Sequence, residues 1–319
     1  MLDVRRLQVL LAVVELGSVT AAAEALTYTP SAISQQLRRL EHDVGQPLMR
    51  RHARGMVPTE AGMVLSSHAR RVIRQLDAAQ ADLDEIAGLR RGQVVLGTFP
   101  TVASSFLPLV VRRFRQLHPE IRLDIRSARE AQLVEWLENG TVDLSLLWDY
   151  AWRRLDQADL MLTELFEDPT VLVVAADHPL ARRRRVDIAD LAGEQWILRA
   201  DHPVREVLHR SALAAGFEPE VSFQANDYQE AQAMVSVGLG VALAPRTAVL
   251  NRHPNVRLIP LGSTVPARRV LAAHRRGQVD APAAVAFSEV LLEVGASYSP
   301  TEAVTVVGDT GAGVAADRL

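Results

Sequence analysis

The sequence predicts an α/β chain in two parts, an all-helical amino-terminal segment followed by a larger part in which strands and helices alternate. Three observations predict it. Apolar residues recur at helical spacing through most of residues 1–91, whereas from Gly92 onward short apolar runs alternate with amphipathic segments. The charge changes sign at the same point: residues 1–91 hold 12 Arg against 10 acidic residues, and the rest hold 23 against 28. The net charge of −3 is therefore an average over two unlike parts, and it does not exclude a polyanion partner for the first. At 319 residues the chain can form two or three globular units. All 35 basic residues are arginine, and the absence of cysteine excludes disulfides, thiolate metal sites and cysteine nucleophiles. No basic-then-apolar leader and no run of about 18 apolar residues is present, so a cytoplasmic protein is expected.

Residues 3–16 read as an amphipathic helix carrying Leu7, Leu10, Leu11 and Val14 and ended by Gly17. Ser18 can cap a second, alanine-rich helix through Ala25, and small side chains let another helix approach it closely. Thr29 suits the cap of a third helix and Pro30 its first position. On that helix Ile33, Leu37 and Leu40 form an apolar stripe, with Ser31, Ser34, Gln35, Arg38 and Arg39 away from it. Two short helices with a tight turn and a polar outer face fit a helix-turn-helix whose second helix enters the major groove of DNA. Ser and Gln can reach base edges, and Arg can reach phosphates or guanine. Periodicity alone fits an ordinary helical bundle equally well.

The whole stretch decides between them. Glu15 to Leu26, Thr29 to Glu41, Gly45-Gln-Pro-Leu-Met-Arg-Arg51 and Pro58-Thr-Glu-Ala-Gly62 resemble the amino-terminal signature of LysR-type transcriptional regulators, nearly unbroken from Leu7 to Gly62. The resemblance implies a winged helix-turn-helix over 1–58, with Gln46 to Val57 as the wing. It places Thr29, Pro30, Ser31, Ser34, Gln35, Arg38 and Arg39 at the bases and neighbouring phosphates, and Arg50, Arg51 and Arg54 at the backbone or minor groove. Met49 stands where the family usually has Phe, and Pro30-Ser31 replaces the commoner Gln-Pro, removing a glutamine that could read a base.

Thr59 can cap a long helix to residue 91, in which Leu65, Ala69, Val72, Leu76, Ala79, Leu83 and Ile86 alternate at spacings of 4 and 3. That heptad pattern predicts a dimer seam through Leu65, Val72, Leu76, Leu83 and Ile86; packing on the chain's own domain is the competing reading. A dimer presents two recognition helices to two half-sites about one helical turn apart. The resemblance makes 59–91 the family's linker helix.

The remainder predicts mainly parallel strands: Gln93 to Gly97, Ile121 to Arg126, Val142 to Leu147, Thr170 to Ala175, Gln195 to Leu198, Glu220 to Ala225 and Val241 to Leu243, with helices between. Ala267 to His274 is a late strand that returns to the first block, and Pro282 to Glu293 a closing helix. Leu107-Pro108, Leu117-His118-Pro119 and Gly238-Leu-Gly-Val-Ala-Leu-Ala-Pro245 resemble the family's effector-binding domain, which is like periplasmic solute-binding proteins. Expected boundaries are 92–295 for that domain, with lobe 1 at about 92–163 and 266–295 and lobe 2 at about 164–265; a disordered tail is expected over 296–319. An interlobe cleft would bind a small, anionic effector. Thr98, Phe99 and Thr101 would contribute from a strand-to-helix turn, Arg129 and Trp148 after two further strands, and Arg199 and Asn226 from the second lobe.

No metal-ligand spacing, nucleophile elbow, phosphate loop or dinucleotide fingerprint occurs, so no catalytic residue, metal or cofactor is expected. The resemblance implies double-stranded promoter DNA, a small-molecule effector, RNA polymerase and further copies of the chain as partners, in a homodimer or tetramer, and no membrane. The rival reading is a cytoplasmic α/β solute-binding or enzymatic protein with a merely structural helical amino terminus.

Overall fold

The computed structural model describes residues 2–52, 55–86, 92–200, 202–262, 264–277 and 281–301. Helix α1 (Val4–Leu16) starts at Asp3, whose carboxylate accepts the Arg5 and Arg6 N–H groups, and stops at Gly17 in the left-handed conformation. Ser18 caps α2 (Val19–Leu26). Thr29 caps α3 (Pro30–Val44), with Pro30 at its first position. The inward faces meet in one core of Leu10, Val13, Ala22, Ile33, Leu37 and Leu40, which Leu48 and Met49 complete. Strands β1 (Met49–His52) and β2 (Gly55–Pro58) pair antiparallel. The Met56 N–H donates to the Gly17 carbonyl at 2.8 Å. Gly55 has φ +127°, and a Cβ there would lie 2.5 Å from that carbonyl oxygen, so this hairpin seats on the end of α1 only with glycine.

Helix α4 (Glu60–Ile86) begins at Thr59, whose hydroxyl accepts the Gly62 N–H at 3.0 Å. It has three occupations. Leu65, Ala69 and Ile73 cover the open side of the α1–α3 core. Arg74 forms an ion pair with Asp143 of the following part, and Ala78 is buried. A third face leaves Val72 44%, Leu76 50% and Leu83 60% exposed, with Val64 also exposed. The expected seam is thus split: Leu65 and Ala69 are used inside the chain, because the first turns of α4 close the small helical core. The Ile86 side chain lies outside the described residues.

The second part continues with β3 (Gly92–Thr98), α5 (Pro100–Ala103), α6 (Leu107–Leu117), β4 (Ile121–Ser127), α7 (Glu130–Glu138), β5 (Leu144–Asp149) and β6 (Leu160–Asp168). After a one-residue crossing follow β7 (Thr170–Ala175), β8 (Gln195–Arg199), α8 (Val204–Ala214), β9 (Glu220–Ala225), α9 (Tyr228–Ser236), β10 (Val241–Pro245) and β11 (Val256–Pro260); β12 (Arg268–Arg275) and α10 (Pro282–Ser297) then return. The sheets have the orders β4-β3-β5-β12-β6 and β11-β7-β10-β8-β9.

Both sheets are mixed rather than mainly parallel. The β3–β4, β3–β5, β10–β8 and β8–β9 pairs are parallel, and β12–β5, β12–β6, β10–β7 and β11–β7 antiparallel. The antiparallel pairs involve the strands next to the two interlobe crossings, which lack an intervening helix to restore direction. Since β6 pairs along the whole of β12, lobe 1 extends to Asp168 rather than residue 163. Past α10, Tyr298 packs against Phe106 and Phe166 with ring centroids 5.0 and 4.6 Å away. The ordered chain therefore passes the expected boundary at 296, and residues 302–319 lie outside the described residues.

Candidate DNA interface and interlobe cleft

The outer face of α3 is a polar strip on a rigid apolar back. Ser31, Gln35, Arg38 and Arg39 are exposed, Ser34 is half-buried, and Ile33, Leu37 and Leu40 are buried beneath them. Glu41 accepts the N–H groups of Leu48 (2.9 Å) and Met49 (3.2 Å), which fixes the hairpin's first strand against the end of α3. Arg50 and Arg51 are exposed on that strand. Among the described residues Arg38 and Arg39 on the strip and Arg50 and Arg51 beside it make no ion pair. Exposed arginines on and beside a face of small polar side chains suit a phosphate-lined groove.

The two lobes enclose a cavity of about 140 Å³, lined from lobe 1 by Phe99, Thr101, Arg129, Glu130 and Trp148 and from lobe 2 by Arg199 and His202. Phe99 packs on Trp148 with centroids 4.4 Å apart. The Arg199 guanidinium lies over the Tyr228 ring at 5.3 Å. Beside the cavity the two crossing segments are tied by a buried network. Arg268, 1% exposed at the start of β12, donates to Asp168 Oδ2 at the end of β6 (2.9 Å), to Thr247 Oγ1 of lobe 2 (2.9 Å) and to Thr101 Oγ1 of lobe 1 (2.7 Å). Asp168 also accepts the N–H and hydroxyl of Thr247 at 3.0 and 2.7 Å.

His202 is a neutral imidazole here. Burial first, then Arg199 and Arg268, hold its pKa well below the usual histidine value. Its Nδ1 accepts the Val204 N–H at 3.2 Å and faces the Tyr228 hydroxyl at 3.2 Å, which leaves the proton on Nε2. Burial raises the Glu130 carboxyl, Arg153 opposes this, and Asp149 adds to it. Because the fold favours uncharged His202, the unfolded chain binds more protons below its own value of about 6.5, and this contribution to stability is lost as the pH falls. The midpoint of thermal unfolding is therefore expected to fall between about pH 7 and 5, and His202→Asn should flatten that fall. Equal pH slopes for the two proteins would contradict the assignment.

Comparison with known proteins places both regions. Residues 4–63 match the family model for the bacterial regulatory helix-turn-helix protein of the lysR family, and residues 87–296 match the LysR substrate binding domain. The transcriptional dual regulator GltC of Bacillus subtilis is 30% identical over 295 residues, 92% of this chain and 97% of its own. The chain belongs to the LysR family. It is a LysR-type DNA-binding transcriptional regulator with an effector-binding domain, and the relatives are regulators rather than enzymes. The DNA-binding transcriptional dual regulator OxyR of Escherichia coli is 29% identical over 279 residues, 86% of this chain and 90% of its own. Two solved structures share the fold. Full-length OxyR from Pseudomonas aeruginosa superposes with a TM-score of 0.75 at 22% identity, covering 94% of this chain and 96% of that one. Full-length CbnR complexed with its target DNA gives 0.66 at 21% identity, covering 92% and 100%. Among the described residues no helix is long and apolar enough to cross a membrane.

Within this LysR chain the expected site residues are distributed unevenly. Thr29 acts as a helix cap, its hydroxyl accepting the Ala32 N–H at 3.2 Å. Pro30 is exposed at the first turn, and Arg54 lies outside the described residues. Of seven expected effector contacts, Phe99, Thr101, Arg129, Trp148 and Arg199 line the cavity. Thr98 and Asn226 do not. Thr98 is fully buried at the end of β3, with a hydroxyl that has no partner among the described residues. Asn226 bonds through its side chain to Glu230 at 3.2 Å. His202, which lines the cavity, and Arg268, beside it, are additions to the expected set. Arg268 gives no local signal, since its partners are distant in sequence.

Proposed function

We propose that two copies pair through the exposed face of α4 and present two α3 helices to an inverted repeat in promoter DNA. Gln35 and Arg38 read base edges, while Arg39, Arg50 and Arg51 hold phosphates. The cleft takes a small anionic effector whose unequal affinity for two lobe arrangements shifts the spacing or bending of the bound half-sites. The protein acts in the cytoplasm, with RNA polymerase as a further partner. The observation that carries this is the capped α3 strip with Arg38 and Arg39 on it and Arg50 and Arg51 beside it, none of them in an ion pair among the described residues. The path to the cleft is short. One end of α7 and one end of β5 line the cavity, and at their other ends Gly140 lies against Arg71 and Arg74 of α4 while Asp143 pairs with Arg74. Since the chain has no cysteine, its effector response does not use a thiol.

A gel-shift titration on the chain's own upstream region tests the division of labour. Gln35→Ala should lower discrimination between operator and mutated operator by about 1–3 kcal/mol. Arg51→Ala should weaken all sequences alike and reduce the salt slope by about 1. Uniform losses from both substitutions would show that α3 does not read bases through Gln35.

A further inference from the structure

The interlobe cavity carries charges of both signs that the fold leaves unpaired. Arg129 and Glu130, at the start of α7 in lobe 1, and Arg199, at the end of β8 in lobe 2, all line it. None of the three forms an ion pair among the described residues. Arg199 is held in place without being neutralised: its Nε donates to the Asn226 carbonyl at 3.4 Å, and its guanidinium lies over the Tyr228 ring at 5.3 Å. His202 adds no charge, because burial keeps it neutral. Burial also costs Glu130 part of its hydration, which raises its pKa, with Arg153 opposing the rise. The cavity therefore presents two cations and one anion.

Charge and size narrow the ligand. A simple carboxylate suits the two guanidiniums but also meets Glu130, and a simple amine suits Glu130 but meets two guanidiniums; like charges brought together count against each. A zwitterion answers all three groups. An apolar cavity of about 150 Å³ holds one benzene, so a space of about 140 Å³ suits a molecule of about five to seven non-hydrogen atoms. Glycine, alanine and serine have that size. Phe99 and Trp148, packed on each other with centroids 4.4 Å apart, supply an apolar wall for a short side chain.

We propose that this cavity takes a small α-amino acid, with its carboxylate at Arg129 of lobe 1 and Arg199 of lobe 2 and its ammonium at Glu130. This rests on the reading of the cleft as the effector site, and it makes the anion of that reading the carboxylate of a zwitterion. Two guanidiniums on opposite lobes repel each other. A carboxylate shared by both removes that repulsion and favours the closer arrangement of the lobes.

The test is calorimetric titration of the full chain at pH 7 with L-alanine, glycine and L-serine, and with propionate and L-alaninamide, which match alanine in size but lack one of its two charges. Alanine is expected to bind, with propionate and alaninamide each weaker by about tenfold or more. L-Phenylalanine, about twice the size of alanine, should be weaker too. In Glu130→Gln the preference for alanine over propionate should fall to near unity while propionate binds at least as tightly as before, a result that misfolding does not produce. Arg199→Gln should narrow the gap between alanine and alaninamide and leave the preference over propionate in place. No binding of alanine, glycine or serine would overturn the proposed ligand class, as would propionate binding as tightly as alanine in the unsubstituted protein or an unchanged preference in Glu130→Gln. If operator binding then responds to a molecule of another class, and Arg199→Gln abolishes that response, the cleft remains the effector site and only the ligand class falls. Selective binding of alanine with no change in operator binding supports the ligand class and counts against regulation through the cleft.

Discussion

Arg268→Leu is expected to lower the stability of the effector-binding part by about 3–5 kcal/mol, as breaking one side of a buried ion pair does. Asp168 is fully buried, and after the substitution it keeps only the two donors of Thr247. The loss is not confined to one pair. Arg268 also joins Thr101 of lobe 1 to Thr247 of lobe 2, and its guanidinium lies 5.1 Å from the Phe99 ring that lines the cavity. Asp168 and Arg268 sit where the chain leaves lobe 1 and where it returns, so the network sets how the crossing segments lie against both lobes. For a domain of this size, about 2–4 °C of midpoint shift accompanies each kcal/mol, which makes the effect easy to measure by calorimetry. A buried charge left alone costs more than the pair contributes, so Arg268→Met combined with Asp168→Leu should recover much of the loss. A drop of less than about 1 kcal/mol for Arg268→Leu would mean that water reaches Asp168 and the network does not lock the crossings.

Short-range chemistry was readable in the sequence, and long-range chemistry was not. Ser18, Thr29 and Pro30 act on the residues that follow them, and Gly17 closes the helix immediately before it, so α1 ends and α2 and α3 begin where expected, while α3 runs on to Val44. Strand direction depends on how the chain crosses between lobes, which leaves no periodic mark; the antiparallel β6 and β12 therefore differ from the expected mainly parallel pattern. Strands β6 and β11 were missed for a related reason, each being stabilised by a neighbour distant in sequence. In the cleft, five of the seven expected residues line the cavity because they follow strand ends, where the topology of α/β folds puts ligands. His202 and Arg268 escaped because a lone histidine before a proline and an arginine at a strand start have no distinguishing spacing. The heptad of α4 was read correctly as periodic, but periodicity does not say which partner covers each turn. Leu65 and Ala69 face the chain's own core, and the face carrying Val72, Leu76 and Leu83 stays open.

Leu76→Asp is expected to halve the mass observed in sedimentation equilibrium and to weaken operator binding by about 10²- to 10⁴-fold, the range lost when two linked binding events become independent. The side chain lies half-exposed on the open face of α4, between Val72 and Leu83, while Arg74 and Ala78 on another face contact the effector-binding part. In the single chain the aspartate would remain in water and cost little. Two aspartates brought together across a paired α4 would lose hydration without gaining a partner, and each would also face the other's charge. Protomer stability should therefore be unchanged by calorimetry at low concentration while association is lost, which distinguishes this substitution from one that damages the fold. Leu65→Asp gives the contrasting result, because Leu65 packs on the α1–α3 core. It should unfold the helix-turn-helix and abolish DNA binding whether or not the chains pair. An unchanged mass for Leu76→Asp would place the dimer contact somewhere other than the open face of α4, and the two recognition helices would then need a different spacing on the operator.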